Sequence, residues 1–237
     1  ERAVLQRMWR PDWEAFREVY RLGWPIGLTQ LAESGLFTGT AIMMGWLGTL
    51  QLAAHGIAMQ ITSTVFMIHI GLSLAGTVRA SRAFGVGDVA GLLRGGQVAF
   101  MLSLSLIALT MVLFLTVPEA LLVLFLDPNE PNRADVIALG VGLMAMAALF
   151  QLADGTQVMA LGLLRGCQDT RTPMVMAAIS YWAIGIPAGY ILGFWTPLAQ
   201  IGVWAGLVAG LFCASGLLLH RFWGRRDWQN PLPPAPT

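Results

Sequence analysis

The chain has 237 residues, of which 56% are hydrophobic and 11% charged, with a mean hydropathy of +0.66. A soluble domain carries about 25% charged residues, so this composition excludes a water-soluble globule and points to a polytopic membrane protein. The formal net charge of +1 offers no footprint for nucleic acid, and none is expected as a partner. Of the two cysteines, Cys167 falls in a predicted loop and Cys213 in a predicted span, so neither a disulfide nor a cysteine metal site is expected.

Residues 1–21 are charged and rich in tryptophan, with Arg2, Arg7, Arg10, Arg17 and Arg21 among Trp9, Trp13 and Tyr20. The stretch lacks the apolar core and cleavage site of a signal peptide. It is predicted to be a cytoplasmic linker lying amphipathically along the headgroups. Residues 22–222 read as a bundle of six spans at about 24–47, 55–80, 96–117, 136–162, 173–194 and 201–221, each near the 20 residues that a bilayer requires. Pro25 and Pro173 suit the first turn of a helix, whereas Pro187 inside the fifth span predicts a kink. Gly185xxxGly189 and Gly206xxxGly210 predict close helix packing within the bundle. Residues 118–126 read as a short interfacial segment and 127–133 as a turn-rich loop. Residues 223–237 form a predicted cytoplasmic tail, too proline-rich over 231–237 to pack.

Charge orients this bundle. Every basic residue is Arg, and all but Arg133 fall on the side that six spans assign to both termini. Since Arg and Lys concentrate on the cytoplasmic side, both termini are expected there. Trp24, Trp46, Trp195, Trp204 and Trp223 lie near predicted span ends, as an interfacial belt would place them.

Two acids interrupt the apolar runs. A charge at the bilayer centre costs roughly 2.5–3.5 kcal/mol, so such residues generally face a bundle interior and serve transport or proton relay. Glu33 lies about eight residues into the first span and Asp154 about nine residues from the end of the fourth, which sets both roughly 12–14 Å above the cytoplasmic surface. Gln30 precedes Glu33 by three residues, and Gln151 and Gln157 flank Asp154 by three. Each set therefore shares a helix face. Amides could serve as mere helix glue at lower insertion cost, which favours a functional role for the carboxylates. A pair of this kind can exchange a proton for a bound cation.

Ordered along the chain are Arg21-Leu22-Gly23-Trp24-Pro25-Ile26, Glu33, Leu52-Ala53-Ala54-His55-Gly56-Ile57, Gly85-Val86-Gly87-Asp88, Phe150-Gln151-Leu152-Ala153-Asp154, and Leu164-Arg165-Gly166-Cys167-Gln168-Asp169-Thr170-Arg171 with Pro173. Tyr181-Trp182 before Gly185-Ile186-Pro187 completes the set. From about Arg17 to Arg221 the chain resembles the C-terminal half of a multidrug and toxic compound extrusion (MATE) transporter of the NorM-like branch. The resemblance implies an all-α integral membrane fold, this chain being one six-helix lobe of a two-lobe, 6+6 transporter in a bacterial inner membrane. It implies a secondary active transporter rather than an enzyme, exporting cationic or aromatic small molecules against sodium or proton influx, with no cofactor. It assigns the coupling cation, sodium included, to Glu33 and Asp154, and makes membrane lipid and an N-terminal six-span lobe the partners. Position 150 is Phe where the branch often has Tyr, so one oxygen ligand is missing.

Gln30, Gln151, Gln157, Phe150, Tyr181 and Phe37 are the expected supporting residues of the site and substrate cavity, the aromatics being able to stack on a flat cation or simply to pack. His55 and His69 are expected to bridge helices rather than to carry protons. Gly85-Val86-Gly87-Asp88 matches the GxGD element of intramembrane aspartyl proteases, but no Tyr-Asp partner occurs in any span. Besides the efflux lobe, two readings stay open: a non-enzymatic membrane assembly or binding half, and a lipid-precursor flippase of related fold.

Overall fold

The computed structural model describes residues 12–128 and 131–225. Expectations for residues 1–11, for Arg226 and for the tail 231–237 lie outside the described residues. The remainder is helical: α1 (Trp13–Leu47), α2 (Thr49–Gly85), α3 (Val89–Thr116), α4 (Pro118–Val123), α5 (Arg133–Gly166), α6 (Arg171–Ile179), α7 (Ile186–Phe194) and α8 (Ala199–Gly224), with a π-helical turn over Ser180–Gly185 joining α6 to α7.

α1 starts on Asp12, whose carboxylate accepts from the backbone N–H groups of Glu14 at 3.1 Å and Ala15 at 3.0 Å, an N-cap that satisfies donors otherwise orphaned. The helix runs through Pro25 instead of starting there, which corrects the sequence expectation. Proline forfeits the bond to the carbonyl four residues back; here that is Arg21, on the exposed end of the helix, where water or headgroups can take its place. Five units, α2, α3, α5, α6–α7 and α8, are long and apolar enough to cross a membrane. α1 has the length, at 35 residues, but Thr29, Gln30, Glu33, Ser34, Thr38 and Thr40 hold its hydropathy below theirs. The architecture is an all-α membrane bundle.

α5 is the central helix, packed on α2, α3, α4 and α8. Its small residues decide this. A Cβ on Gly162 or Gly166 would collide with Ser73 or with the backbone of Thr77 in α2, and the close approach lets hydroxyls of α2 reach α5 carbonyls: Ser73 to Val158 at 2.7 Å and Thr77 to Gly162 at 2.9 Å. Interhelical hydrogen bonds of this kind are an alternative to hydrophobic drive where lipid surrounds the bundle. α4 is less interfacial than expected, since Leu122 is buried against Gly140 of α5. In the α2–α3 connection Gly87 has φ +72, a left-handed conformation that glycine adopts without strain, and Asp88 accepts from the N–H of Gly91 at 2.8 Å as the N-cap of α3. The GxGD match is thus a turn and a cap.

The kink expected at Pro187 is realised as the π-helical turn immediately before it. Pro187 cannot donate to the carbonyl of residue 183, and a π-bulge absorbs the lost bond. Across from it, α7 and α8 meet through an antiparallel glycine ladder. Gly185 faces Gly210, Gly189 faces Gly206, and Gly193 faces Gly202; a Cβ on Gly210 would lie 2.9 Å from the Cα of Gly185, and one on Gly206 would overlap the backbone of Gly189. Overpacking costs about 1–3 kcal/mol even where side chains can shift, and backbone cannot shift cheaply. Gly206→Leu is therefore expected to lower the unfolding midpoint and the yield of folded protein in detergent, whereas Gly216→Leu, on a position with nothing within 4 Å, leaves both unchanged; equal behaviour of the two variants in a thermal unfolding assay contradicts the ladder.

The apolar core divides in two. One cluster gathers Leu36, Met43, Phe150, Ala153 and Trp204, the other Leu92, Met159, Leu163 and Phe222. Between them α5 presents Asp154, Thr156 and Gln157, a polar layer across the bundle.

Candidate functional site

Glu33 of α1 projects into this layer and is buried. Its Oε1 accepts from Nε2 of Gln157 on α5 at 2.9 Å, and its Oε2 accepts from Nε2 of Gln30, one turn earlier on its own helix, at 3.2 Å. The level matching read from residue counting therefore corresponds to a direct α1–α5 contact. Asp154, one turn before Gln157, is only 2% exposed and close enough to interact electrostatically with Glu33. Its Oδ1 meets no donor among the described residues. Of the two amides that flank Asp154, Gln157 donates to Glu33 of the same layer, and Gln151 is fully buried with both Nε2 and Oε1 unpaired.

Tyr181, in the π-helical turn, is fully buried with its hydroxyl unpaired, within electrostatic range of Glu33, Asp154 and Arg165 and beside Gln157. The π-turn is what aims it there. His69 borders the same layer against Gly155, its Nδ1 3.1 Å from Oγ of Ser103. Phe37 and Phe150 meet each other edge to face, with centroids 5.9 Å apart, and Phe150 packs on Trp204 at the same spacing. Phe150 thereby belongs to the apolar core, one turn above the acids.

Arg165 entered the sequence reading through topology and the Leu164–Arg171 stretch, with no place in the acid site. It lines, together with Gln30, Glu33, Phe66, Ser73 and Thr77, a crevice of about 180 Å³ running from the acid to the end of α5, and its guanidinium lies within electrostatic range of Glu33 and Tyr181. The signal was present: eleven residues separate Arg165 from Asp154, which at 100° per residue returns the side chain to the same helix face three turns on. Trp204 was missed in the opposite sense. It is fully buried rather than interfacial, because its Nε1 donates to Nδ1 of His55 at 3.1 Å, and an indole that finds a partner can be buried without penalty. Both histidines thus bridge helices.

The arrangement offers two carboxylates and the buried amide oxygens of Gln151 and Gln157, an all-oxygen set of the kind a hard cation takes.

Comparison with known proteins identifies the family of the fold. The chain is 47% identical over 219 residues to the "Probable multidrug resistance protein NorM" of Agrobacterium fabrum, a match covering 92% of this chain and 47% of that protein, and 41% identical to the protein of the same name from Pseudomonas aeruginosa, over 94% of this chain and 46% of that one. The chain therefore spans about half the length of the curated relatives it matches. Among solved structures, the eukaryotic MATE transporter AtDTX14 superposes with a TM-score of 0.79 at 19% identity, over 92% of this chain and 48% of that one. An outward-facing multidrug resistance MATE family transporter does so with a TM-score of 0.75 at 16% identity, over 93% and 48%. These two likenesses show the fold alone. The MatE family model matches residues 25–191, and on that match, with the relatives beside it, the chain belongs to the MatE family.

Proposed function

We propose that this chain is one six-helix lobe of a cation-coupled exporter of cationic and aromatic compounds, and that Asp154 and Glu33 hold the coupling cation, sodium or proton. The observation that carries the reading is a pair of acids from two helices within one polar layer, of which Asp154 is buried with an oxygen that meets no donor. A buried polar atom without a partner is costly, and a cation or proton removes that cost. When ionised, the pair attracts sodium or a cationic substrate; when protonated, it releases either. Export and ion influx then become exclusive uses of one charge. Gln151 and Gln157 contribute oxygens in place of the phenol that Phe150 lacks. The names of the relatives support a multidrug substrate range, and the matching half of those relatives supports a second lobe, against which this one rocks to give alternating access.

The test is flux of a cationic dye in proteoliposomes containing the complete transporter, under an imposed sodium or proton gradient. Gradient-dependent export supports the reading. Dye movement indifferent to both gradients points to a flippase, and binding without movement to an assembly half.

The same reading places both termini in the cytoplasm, with α1 as a sixth span. Cysteine labelling examines this in a Cys213→Ser background. Cys167 can remain, because burial first and the neighbouring Asp169 carboxylate second push its thiol up to about 12. Only the thiolate reacts, so Cys167 stays silent near pH 7 and gains reactivity only as pH rises toward that value. In intact cells, Arg94→Cys and Arg171→Cys are expected to resist an impermeant thiol reagent and Asn132→Cys to react; the reverse pattern overturns the orientation.

A further inference from the structure

A second polar feature lies at the arginine-rich end of the bundle, apart from the acid site. Glu18, Arg21 and Leu22 of α1 and Gln168, Asp169, Thr170 and Arg171 at the start of α6 line a crevice of about 290 Å³. The N-cap residue Thr170 makes no capping bond, so the N–H groups of Arg171 and Thr172 are not covered by its side chain; Pro173, the third residue of α6, has no N–H to offer. Thr170 lines the same crevice as a residue only 6% exposed, and its hydroxyl, which forms no hydrogen bond among the described residues, is not sealed off from solvent. Arg171 is the first residue of the helix, a cation at the positive end of the helix dipole, where an anion belongs.

The charges around it do not cancel. The Asp169 carboxylate is already shared by Arg221 at 2.6 Å and Arg225 at 2.9 Å. Neither Arg21 nor Arg171 forms an ion pair among the described residues, and Glu18 is the one other acid in the wall. A helix N-terminus, two guanidiniums and the unpartnered hydroxyl of a largely buried threonine on one crevice make a phosphate site: backbone N–H groups and the dipole favour the anion, and arginine grips phosphate with a bidentate fork.

Place and surroundings favour a lipid over a soluble phosphate. The crevice opens where the spans end, Leu22 gives it an apolar edge, and the preceding turns of α1 expose Trp13, Phe16 and Tyr20, packed in series with ring centroids 6.0 and 6.3 Å apart. Aromatics of this kind sit at headgroup depth, and basic pockets between membrane helices bind anionic headgroups. We propose that the crevice between α1 and the start of α6 is a binding site for the phosphate of an anionic phospholipid headgroup, gripped by Arg21, Arg171, Thr170 and the α6 N-terminus.

The test is thermal unfolding of the purified full chain in phosphatidylcholine bicelles titrated with phosphatidylglycerol. The wild type is expected to gain several degrees, and the double variant Arg21→Gln/Arg171→Gln to need at least ten times more phosphatidylglycerol for the same gain. Arg94→Gln, an exposed arginine at the same end but outside the crevice, should respond like the wild type. An unchanged response of the double variant, or an equal loss in Arg94→Gln, overturns the site in favour of diffuse surface attraction. Inorganic phosphate that matches the lipid at equal concentration overturns the lipid assignment. Should the double variant not fold, Thr170→Val keeps the charge and removes the hydroxyl that lines the crevice; a several-fold weaker response supports the site, and a wild-type response overturns it.

Discussion

Asp154→Asn is expected to abolish ion-driven export by the complete transporter while leaving folded protein at normal levels. Asparagine keeps the shape and hydrogen-bonding reach of the side chain but fixes the neutral state. The wild-type carboxylate is buried, meets no donor at Oδ1 and lies in the field of Glu33, so structure gains nothing from its charge. An acid in a bilayer-spanning bundle costs roughly 2.5–3.5 kcal/mol when charged, and its removal should leave the unfolding midpoint equal or higher. Loss of coupling without loss of stability is the signature of a residue kept for its chemistry. Glu33→Gln is expected to weaken export less or equally, and to lower stability more, because Glu33 accepts from both Gln157 and Gln30 and balances Arg165. The measurement is dye efflux from proteoliposomes under sodium and proton gradients in turn, beside a thermal melt. Normal export by Asp154→Asn under both gradients makes the acid structural and removes the proposed coupling site.

The chain by itself, as a verified monomer, is expected to bind a cationic dye weakly and to move none of it across a membrane. Repeat-built transporters alternate access by rocking one bundle against another around a site at their interface, and on the reading proposed above this chain provides one wall of such a cavity. The curated relatives are about twice as long as the matched stretch, which leaves room in them for a second wall. Co-expression with a matching N-terminal half should restore efflux. Vectorial export by the monomer would exclude the two-lobe mechanism.

Much of the bundle was legible from local chemistry. Composition and span length identify a membrane protein because the bilayer sets a fixed length and penalises charge independently of how helices meet. That Glu33 and Asp154 share a level followed from counting at 1.5 Å per residue, and the two GxxxG pairs announced close packing, since small residues let backbones approach. Helix rotation and partner choice were not legible in the same way. That Gln157 serves Glu33 on another helix and leaves Asp154 unattended, that a π-turn carries Tyr181 toward the acids, and that Trp204 is buried on His55 each depend on the angle at which two helices face one another. Local sequence constrains a residue's own helix through 3.6-residue periodicity, which fixes faces and depths. Which face meets which neighbour is decided by packing among all the helices together, and the contact between α1 and α5 that assembles the acid site, like the convergence of α1 and α6 on the phosphate crevice, exists only once that packing is complete.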